Sequence, residues 1–407
     1  MEECFSTQSA GLLLSRVGLF VLLAGLLLAA WHGQMVIVIV LGLTLAAAGV
    51  TRLWSRFSLA GVSCQRTLSE QRVFPGEFIE LKLQLSNRKL LPLPWVQVDD
   101  ELPLGFAPDL VAAPEDRPGF GFLSKAAALL WYSKVTWKSR LICPNRGYYT
   151  LGPTTITSGD IFGFYPRSVT QPLTDHVIVY PRIYPIAQFS IPALYPLGNA
   201  RAEKAIFEDP IRIMGVRDYQ PHDSLRRIHW KATARQQSLQ VKVFEPTTTL
   251  DIALFFAVDT FKLESRYDND FEHAISIAAS IARYSMDKGD PVGLFVNTRL
   301  ADSGQSARIL PGSTSYQLVA ILEALAKITR IPSSSFEDFL NQERRTMPWG
   351  TTIILVLYEV SPSLHVLLTT MREAGCKVLV CQTGQAEKAE TRSDALNYPT
   401  LEVPMPS

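Results

Sequence analysis

The hydrophobic pattern divides the chain into segments of different period. Gly11 to Trp31 is apolar except for Ser15 and Arg16, and a second apolar run starts at Met35, with only His32, Gly33 and Gln34 between them. Spans of about 11–31 and 35–53 sit near the lower limit for crossing ~30 Å of hydrocarbon, with Arg16 able to snorkel and Trp54 placed for the interface. Together they predict a two-helix transmembrane hairpin over residues 1–56. A cleaved signal peptide is the competing reading of the first run, and the second run following at once argues against it.

From residue 57 to 186 the period changes to two. Glu77 to Leu85, EFIELKLQL, alternates cleanly, and Pro94 to Val98 and Val135 to Ile142 supply further strands between Gly, Pro and Asn turns. This predicts an antiparallel β-sandwich. The Gly, Pro and Ala-rich stretch from Pro103 to Ala128 reads as a long loop, and Trp95, Trp131 and Trp137 as core or interface anchors.

Residues 187–249 form a signature segment and linker. Within it RDYQPHDSLRRIHWKATAR, Arg217 to Arg235, predicts a helix starting at Ser224 with Asp223 as N-cap. Asp223, Arg227, Lys231 and Arg235 recur every fourth residue along one face. Leu225, Ile228 and Ala232 are expected to pack inward, and Trp230 to be a packing anchor.

Residues 250–390 predict an α/β doubly wound domain. Leu250 to Val258 is the continuous apolar run of a strand buried on both faces. Helix 271–287, strand 292–297, helix 316–329, strand 351–358, helix 363–373 and strand 376–382 follow, an alternation that implies parallel βαβ units. Residues 391–407 form a tail.

Charge then narrows the function. A net charge of +1 argues against nucleic-acid binding by bulk electrostatics. The loop between the apolar runs carries no Lys or Arg, whereas Arg16, Arg52, Arg56 and Arg66 lie on the other side. The positive-inside rule therefore places a two-pass protein in the plasma membrane, in contact with lipid, with its soluble domains in the cytoplasm. Cys4, Cys64, Cys143, Cys376 and Cys381 lack zinc or redox spacing and read as reduced thiols. No nucleophile elbow, Walker loop, Rossmann fingerprint or His-x-x-x-His pair occurs, so no catalytic residue and no cofactor is assigned, and the chain is not read as an enzyme.

The Arg217–Arg235 segment resembles the signature of the DUF58 family, Arg-x-Tyr-x-x-Gly-Asp-x-x-Arg-x-Ile-x-Trp-x-x-x-Ala-Arg. It matches at Arg217, Tyr219, Asp223, Arg227 or its neighbour Arg226, Ile228, Trp230, Ala234 and Arg235, with His222 in place of the glycine. RGYYTLGPTTITSGDIFGFY, Arg146 to Tyr165, is similar to the family's strand-turn-strand segment. The resemblance covers roughly residues 1–380 and implies a β-sandwich followed by a von Willebrand factor A-like domain. Such domains often hold a divalent metal through Asp-x-Ser-x-Ser after the first strand. Here Asp259 keeps the acid, but Phe261 and Leu263 stand in the serine positions, so Asp259 and Glu359 are expected to mark a degenerate edge without metal.

These readings converge on a membrane-anchored cytoplasmic scaffold or adaptor. Its partner-binding residues would be Arg217, Tyr219, Asp223, Arg226, Arg227, Trp230, Lys231 and Arg235. The resemblance implies a MoxR-type AAA+ ATPase as partner and an envelope or assembly process. The alternative is a phosphate- or small-molecule-binding sensor using the same Arg/Lys face.

Overall fold

The computed structural model describes residues 16–107, 110–112, 119–185, 207–221, 223–247, 251–261, 264, 268–347, 351–374, 376–384 and 400–402. The start of the first apolar run, all of residues 187–206, and His222, Leu263 and most of the tail lie outside these. The chain divides into two compact units, residues 1–180 and 181–407.

The first unit opens with helices α1 (Arg16–Trp31) and α2 (Met35–Ser58). The two helices pack at Gly25 and Gly42, where an added Cβ would sit in ordinary van der Waals contact, 3.7 Å, with Leu41 and Leu26 respectively. At 24 residues α2 is long and apolar enough to cross a membrane, whereas the described part of α1 is shorter. Its threonine hydroxyls are satisfied within the helix, Thr44 donating to the Val40 and Leu41 carbonyls and Thr51 to that of Ala47. The Lys89 ammonium donates to the Phe57 and Ser58 carbonyls, closing α2 at its C-terminal end.

Eleven strands follow: β1 (Val62–Leu68), β2 (Arg72–Val73), β3 (Phe78–Asn87), β4 (Leu93–Pro103), β5 (Val111–Ala112), β6 (Phe120–Leu129), β7 (Lys134–Ile142), β8 (Gly147–Leu151), β9 (Thr154–Ser158), β10 (Arg167–Gln171) and β11 (Asp175–Val179). They form three sheets, ordered β1-β3-β7, β10-β9-β4-β6-β5 and β2-β11-β8, every pairing antiparallel except β2 with β11. Period-two burial on β3 and β4 sends Ile79, Leu81, Leu83, Val96 and Val98 into one core shared with Leu123, Leu141 and Ile156.

The expected loop at 103–128 is corrected, because β6 occupies its second half and pairs along β4. Glycine and a run of alanines hid a strand specified mainly by backbone pairing. Trp95 is half-buried and bonds to the Asp160 carbonyl, and Trp137 packs on the core, whereas Trp131 is exposed.

One charge expected to serve topology is used inside this unit. Arg66 is buried and paired with Asp100, and it donates to the Leu151 and Leu173 carbonyls, Thr154 and Asp175. Gly152, at φ +93°, makes room, since a Cβ there would lie 2.0 Å from the Leu173 carbonyl and 2.9 Å from the guanidinium.

The second unit begins with an antiparallel ribbon of β12 (Phe207–Asp218) and β13 (Gln240–Thr247), between which lies α3 (Trp230–Gln236). The main sheet contains β14 (Ile252–Phe256), β15 (Val292–Leu300), β16 (Ser306–Gly312), β17 (Ile328–Pro332), β18 (Thr352–Leu357), β19 (Lys377–Gln382) and β20 (Thr400–Glu402). Its order is β16-β15-β14-β18-β19-β20, with β17 pairing to β15; neighbours from β15 through β20 run parallel, and β16 and β17 run antiparallel to β15.

Helices α4 (Asp268–Asp287), α5 (Ser315–Lys327), α6 (Phe336–Arg344) and α7 (Pro362–Glu373) complete it. Ala253, Phe255, Ile353, Leu355 and Val380 face Phe336, Leu340, Leu364 and Leu368 on one side, while α4 packs on β14, β15 and β18. Every residue of β14 is consequently buried, as its unbroken apolar run required. The mixed α/β architecture is therefore present; α6, β16 and β17 add to the predicted elements, and so does β20, which pairs with β19 from within the segment expected to be a tail.

Candidate functional site

The signature segment is a loop carried by the β12–β13 ribbon, and its helix starts later than the sequence suggests. Leu225–Arg227 form one 3-10 turn, and α3 spans only Trp230–Gln236. His229 is the N-cap, its Nδ1 accepting from the Ala232 amide at 3.0 Å. The reason is long-range pairing: Ile228 bridges Val241, and the His229 amide donates to the Gln240 carbonyl at 2.8 Å, which holds Ile228 extended and keeps His229 out of the helix.

Asp223 therefore does not cap a helix at Ser224. Both of its oxygens accept from the Arg217 guanidinium at 2.6 Å, and Oδ2 also accepts from the Gln220 amide at 2.9 Å. This bidentate pair closes the turn at residues 217–223. Below it Gln240, 2% exposed, donates to Asp218 and Ser238, and its amide donates to Thr233. The loop is thus fixed to the ribbon by side chain and backbone alike, including the Tyr219 amide on the Leu239 carbonyl.

The outward face differs from expectation in what it displays. Ile228 is buried and Ala232 half-buried as predicted, but Leu225 is 68% exposed and Trp230 69% exposed, so neither packs inward. With the helix broken at Ile228, the four-residue repeat no longer places Asp223, Arg227, Lys231 and Arg235 on one continuous face. Arg227, Lys231 and Arg235 are all exposed, Tyr219 is half-buried, and the Arg226 side chain lies outside the described residues. The structure brings together Arg217 and Asp223 and leaves the others as a display of two apolar and three basic side chains. Leu225 and the positioning residues Gln240 and His229 were missed; the Leu-to-Trp spacing across a broken helix offered no periodic signal.

The second candidate edge lies where β14 and β18 end side by side, the Tyr358 amide donating to Thr260 at 3.1 Å. Asp259 is committed there to structure. Its Oδ1 accepts from Asn297 Nδ2 at 2.9 Å and its Oδ2 from the Phe336 amide, at the start of α6, at 2.8 Å. Phe261 is buried, stacked on Phe256 and edge-on to Phe271. Glu359 is exposed. Asp259's hydrogen bonds and the aromatic at 261 do not fit the oxygen-rich cage that a hard cation needs. Among the described residues no group of three or more His, Cys, Asp or Glu could hold a metal.

Comparison with known proteins adds one distant relative. The chain is 23% identical to the "Uncharacterized protein YeaD" of Bacillus subtilis over 261 residues, 64% of this chain and 60% of that protein. Solved structures resemble it only weakly. The CARDB domain of a Pyrococcus furiosus protein, in complex with di-metal ions, is 11% identical, covering 29% of this chain and 91% of that one at a TM-score of 0.20. The β-glucosidase of Listeria innocua in complex with isofagomine is 13% identical, covering 29% and 16%, at 0.19. Neither carries an argument about fold or activity. Residues 215–344, which contain the displayed loop and Asp259 but not β18 or Glu359, match the family described as "Protein of unknown function DUF58".

Proposed function

We propose that this protein is a membrane-anchored scaffold or adaptor, not an enzyme, that docks a protein partner on the 225–235 loop. The carrying observation is the display of Trp230 and Leu225 on a loop held by the Arg217–Asp223 and Gln240 hydrogen bonds, with Arg227, Lys231 and Arg235 exposed in the same segment. Trp and Arg are the side chains that dominate binding energy at protein interfaces, and a preorganised loop loses little entropy on docking. The basic rim suits an acidic partner surface. The family resemblance names a MoxR-type AAA+ ATPase as the partner to test first.

In this reading α1 and α2 form a two-pass anchor in the plasma membrane with the soluble domains in the cytoplasm. The second unit is the von Willebrand factor A-like domain, its loops gathered at the carboxyl edge of the sheet. The phosphate-sensor alternative has less support, because Asp223 already neutralises Arg217.

Two variants test the docking: Trp230→Ala, and Arg227→Ala with Lys231→Ala. Trp230 keeps roughly 70% of a surface of about 250 Å² in solvent, so a partner that covers it gains up to ~4 kcal/mol, while folding loses at most ~2 kcal/mol. The single variant is expected to lose partner association at least tenfold while its thermal unfolding shifts little, and the double variant to weaken association in a salt-dependent way. Unchanged association in both, measured by pull-down with the purified ATPase, would remove the docking role. A reporter active only in the cytoplasm, fused after Ser407, is expected to be active; its silence would reverse the topology.

A further inference from the structure

The Gly159–Tyr165 loop, GDIFGFY, is built around one buried carboxylate. Asp160, 0% exposed, accepts from the Phe162 amide at 3.1 Å and the Tyr165 amide at 2.7 Å. Its carbonyl accepts from the Gly163 amide at 3.1 Å and from Trp95 Nε1 at 2.9 Å. A Cβ at Gly159 would meet the Trp95 ring and the Tyr165 carbonyl at 2.9 Å, so the loop folds down tightly on its strand. With its polar groups turned inward, its apolar side chains point out: Ile161 is 56% exposed, Phe162 65% and Phe164 44%, the two rings 5.6 Å apart and stacked.

The same loop lies along α2. Ser55, 1% exposed, donates to the Tyr165 carbonyl at 2.5 Å, which ties the loop to the last turns of the helix. Between them runs a mainly apolar groove of about 340 Å³, lined by Leu43, Val50 and Trp54 on one wall and Ile161 and Phe162 on the other; Thr51 and Asp160 also border it, their oxygens bonded to Ala47 and to the loop amides. From Leu43 to Trp54 the helix rises ~16 Å, about half the thickness of a bilayer's hydrocarbon. Leu43 and Val50 are themselves 66% and 61% exposed, so the apolar flank of the helix continues onto the loop without a polar break. Among the described residues the Trp54 indole N–H, enclosed at this wall, has no hydrogen-bond partner.

We infer that this loop is a second membrane contact: Ile161, Phe162 and Phe164 insert into the leaflet at the C-terminal end of α2, and a lipid acyl chain occupies the groove. The inference rests on α2 crossing the membrane. Irregular backbone is tolerated at hydrocarbon depth only where its polar groups are satisfied within the protein, and Asp160, Trp95 and Ser55 supply those partners here. Lipid is the occupant because the groove continues the lipid-facing side of α2 and offers almost no polar lining for a peptide to bond.

The test uses the full chain reconstituted in vesicles of phosphatidylethanolamine and phosphatidylglycerol. A photoreactive phenylalanine analogue is placed singly at Phe162, at Phe164, at Leu43 and at Leu104, an exposed position of the sandwich. Irradiation and mass spectrometry are expected to find lipid adducts at 162, 164 and 43 in comparable yield, with little at 104. Adducts at 43 without adducts at 162 and 164 would overturn the inference and leave the anchor standing. Absence at 43 would overturn the anchor and this inference with it. Crosslinks from 162 to protein in place of lipid would also overturn it.

Discussion

Replacing Arg66 by Met probes the ion pair at the centre of the first unit. The guanidinium donates through Nε to Asp100 at 3.1 Å, through Nη2 to Asp100 and to Thr154 at 2.9 Å, and through Nη1 to the Leu151 and Leu173 carbonyls at 3.0 and 3.1 Å and to Asp175 at 3.2 Å. Methionine fills much of the volume but supplies none of these donors. Asp100, 0% exposed, then keeps among the described residues the Thr154 hydroxyl, donating to it at 2.7 Å, and the Leu151 and Leu173 carbonyls lose the guanidinium donor. Removing one partner of a buried pair costs ~3–5 kcal/mol, a large part of the ~5–15 kcal/mol of a typical fold.

The variant also makes a pH prediction. Burial pushes the Asp100 carboxyl up, and the charge of Arg66 with the Arg66 and Thr154 hydrogen bonds pulls it back. Without Arg66 the upward push is less opposed, so the folded-state pKa rises further above the unfolded value near ~3.9. A raised carboxyl pKa means stability that is present below the unfolded value and lost as pH rises through the folded one. The deficit of Arg66→Met is therefore expected to shrink as pH falls towards 4. The double variant Arg66→Met with Asp100→Leu removes both charges and is expected to recover most of the loss. Urea unfolding of the full chain in detergent, followed by circular dichroism, measures all three. A single variant within ~0.5 kcal/mol of the parent, or a double variant no better than the single, would refute the reasoning.

Asp259→Ala is expected to cost ~2–3 kcal/mol in the second unit, because it orphans an Asn297 N–H and the Phe336 amide, both bonded to it across the sheet edge; calorimetric titration with magnesium should show no micromolar binding in either protein, and such binding abolished by the substitution would restore the metal site. Burial, the leading cause at each, pushes the Cys64 thiol up to about 11 and those of Cys143 and Cys381 up to about 12, with Asp100 and Glu77 adding to the first two. Native maleimide labelling at pH 7 should therefore reach Cys376, which is half-buried, well before these three. Since their folded pKa values lie above the unfolded ~8.5, stability should fall as pH rises beyond that value, and less steeply in Cys381→Ala. Rapid labelling of Cys381 in the folded protein would show that its enclosure is wrong.

The elements written in the sequence are those whose burial follows from local pattern. The apolar run 250–258 predicted β14, and the period of 271–287 predicted α4, because a strand covered on both faces and a helix against a sheet impose their period on every residue they bury. The alternation from 77 to 85 did the same for β3. The unbroken apolar run from Met35 likewise picked out α2 as long and apolar enough to span a membrane.

What the tertiary structure decided is which partner each polar group meets. The charges of residues 223–235 fit a helix by spacing, yet Val241 and Gln240, brought alongside by the β12–β13 ribbon, hold Ile228 extended and delay the helix to Trp230, whose side chain is exposed. Arg66 reads as one basic residue beside a membrane span, and only the meeting of β1 with β4, β8 and β9 makes it the buried partner of Asp100. Asp259 reads as the remnant of a metal site, until α6 arrives 77 positions later with an amide for it. Local spacing records the energy of neighbours in sequence, a few tenths of a kcal/mol per pair, whereas desolvated long-range partners contribute several times that and override it.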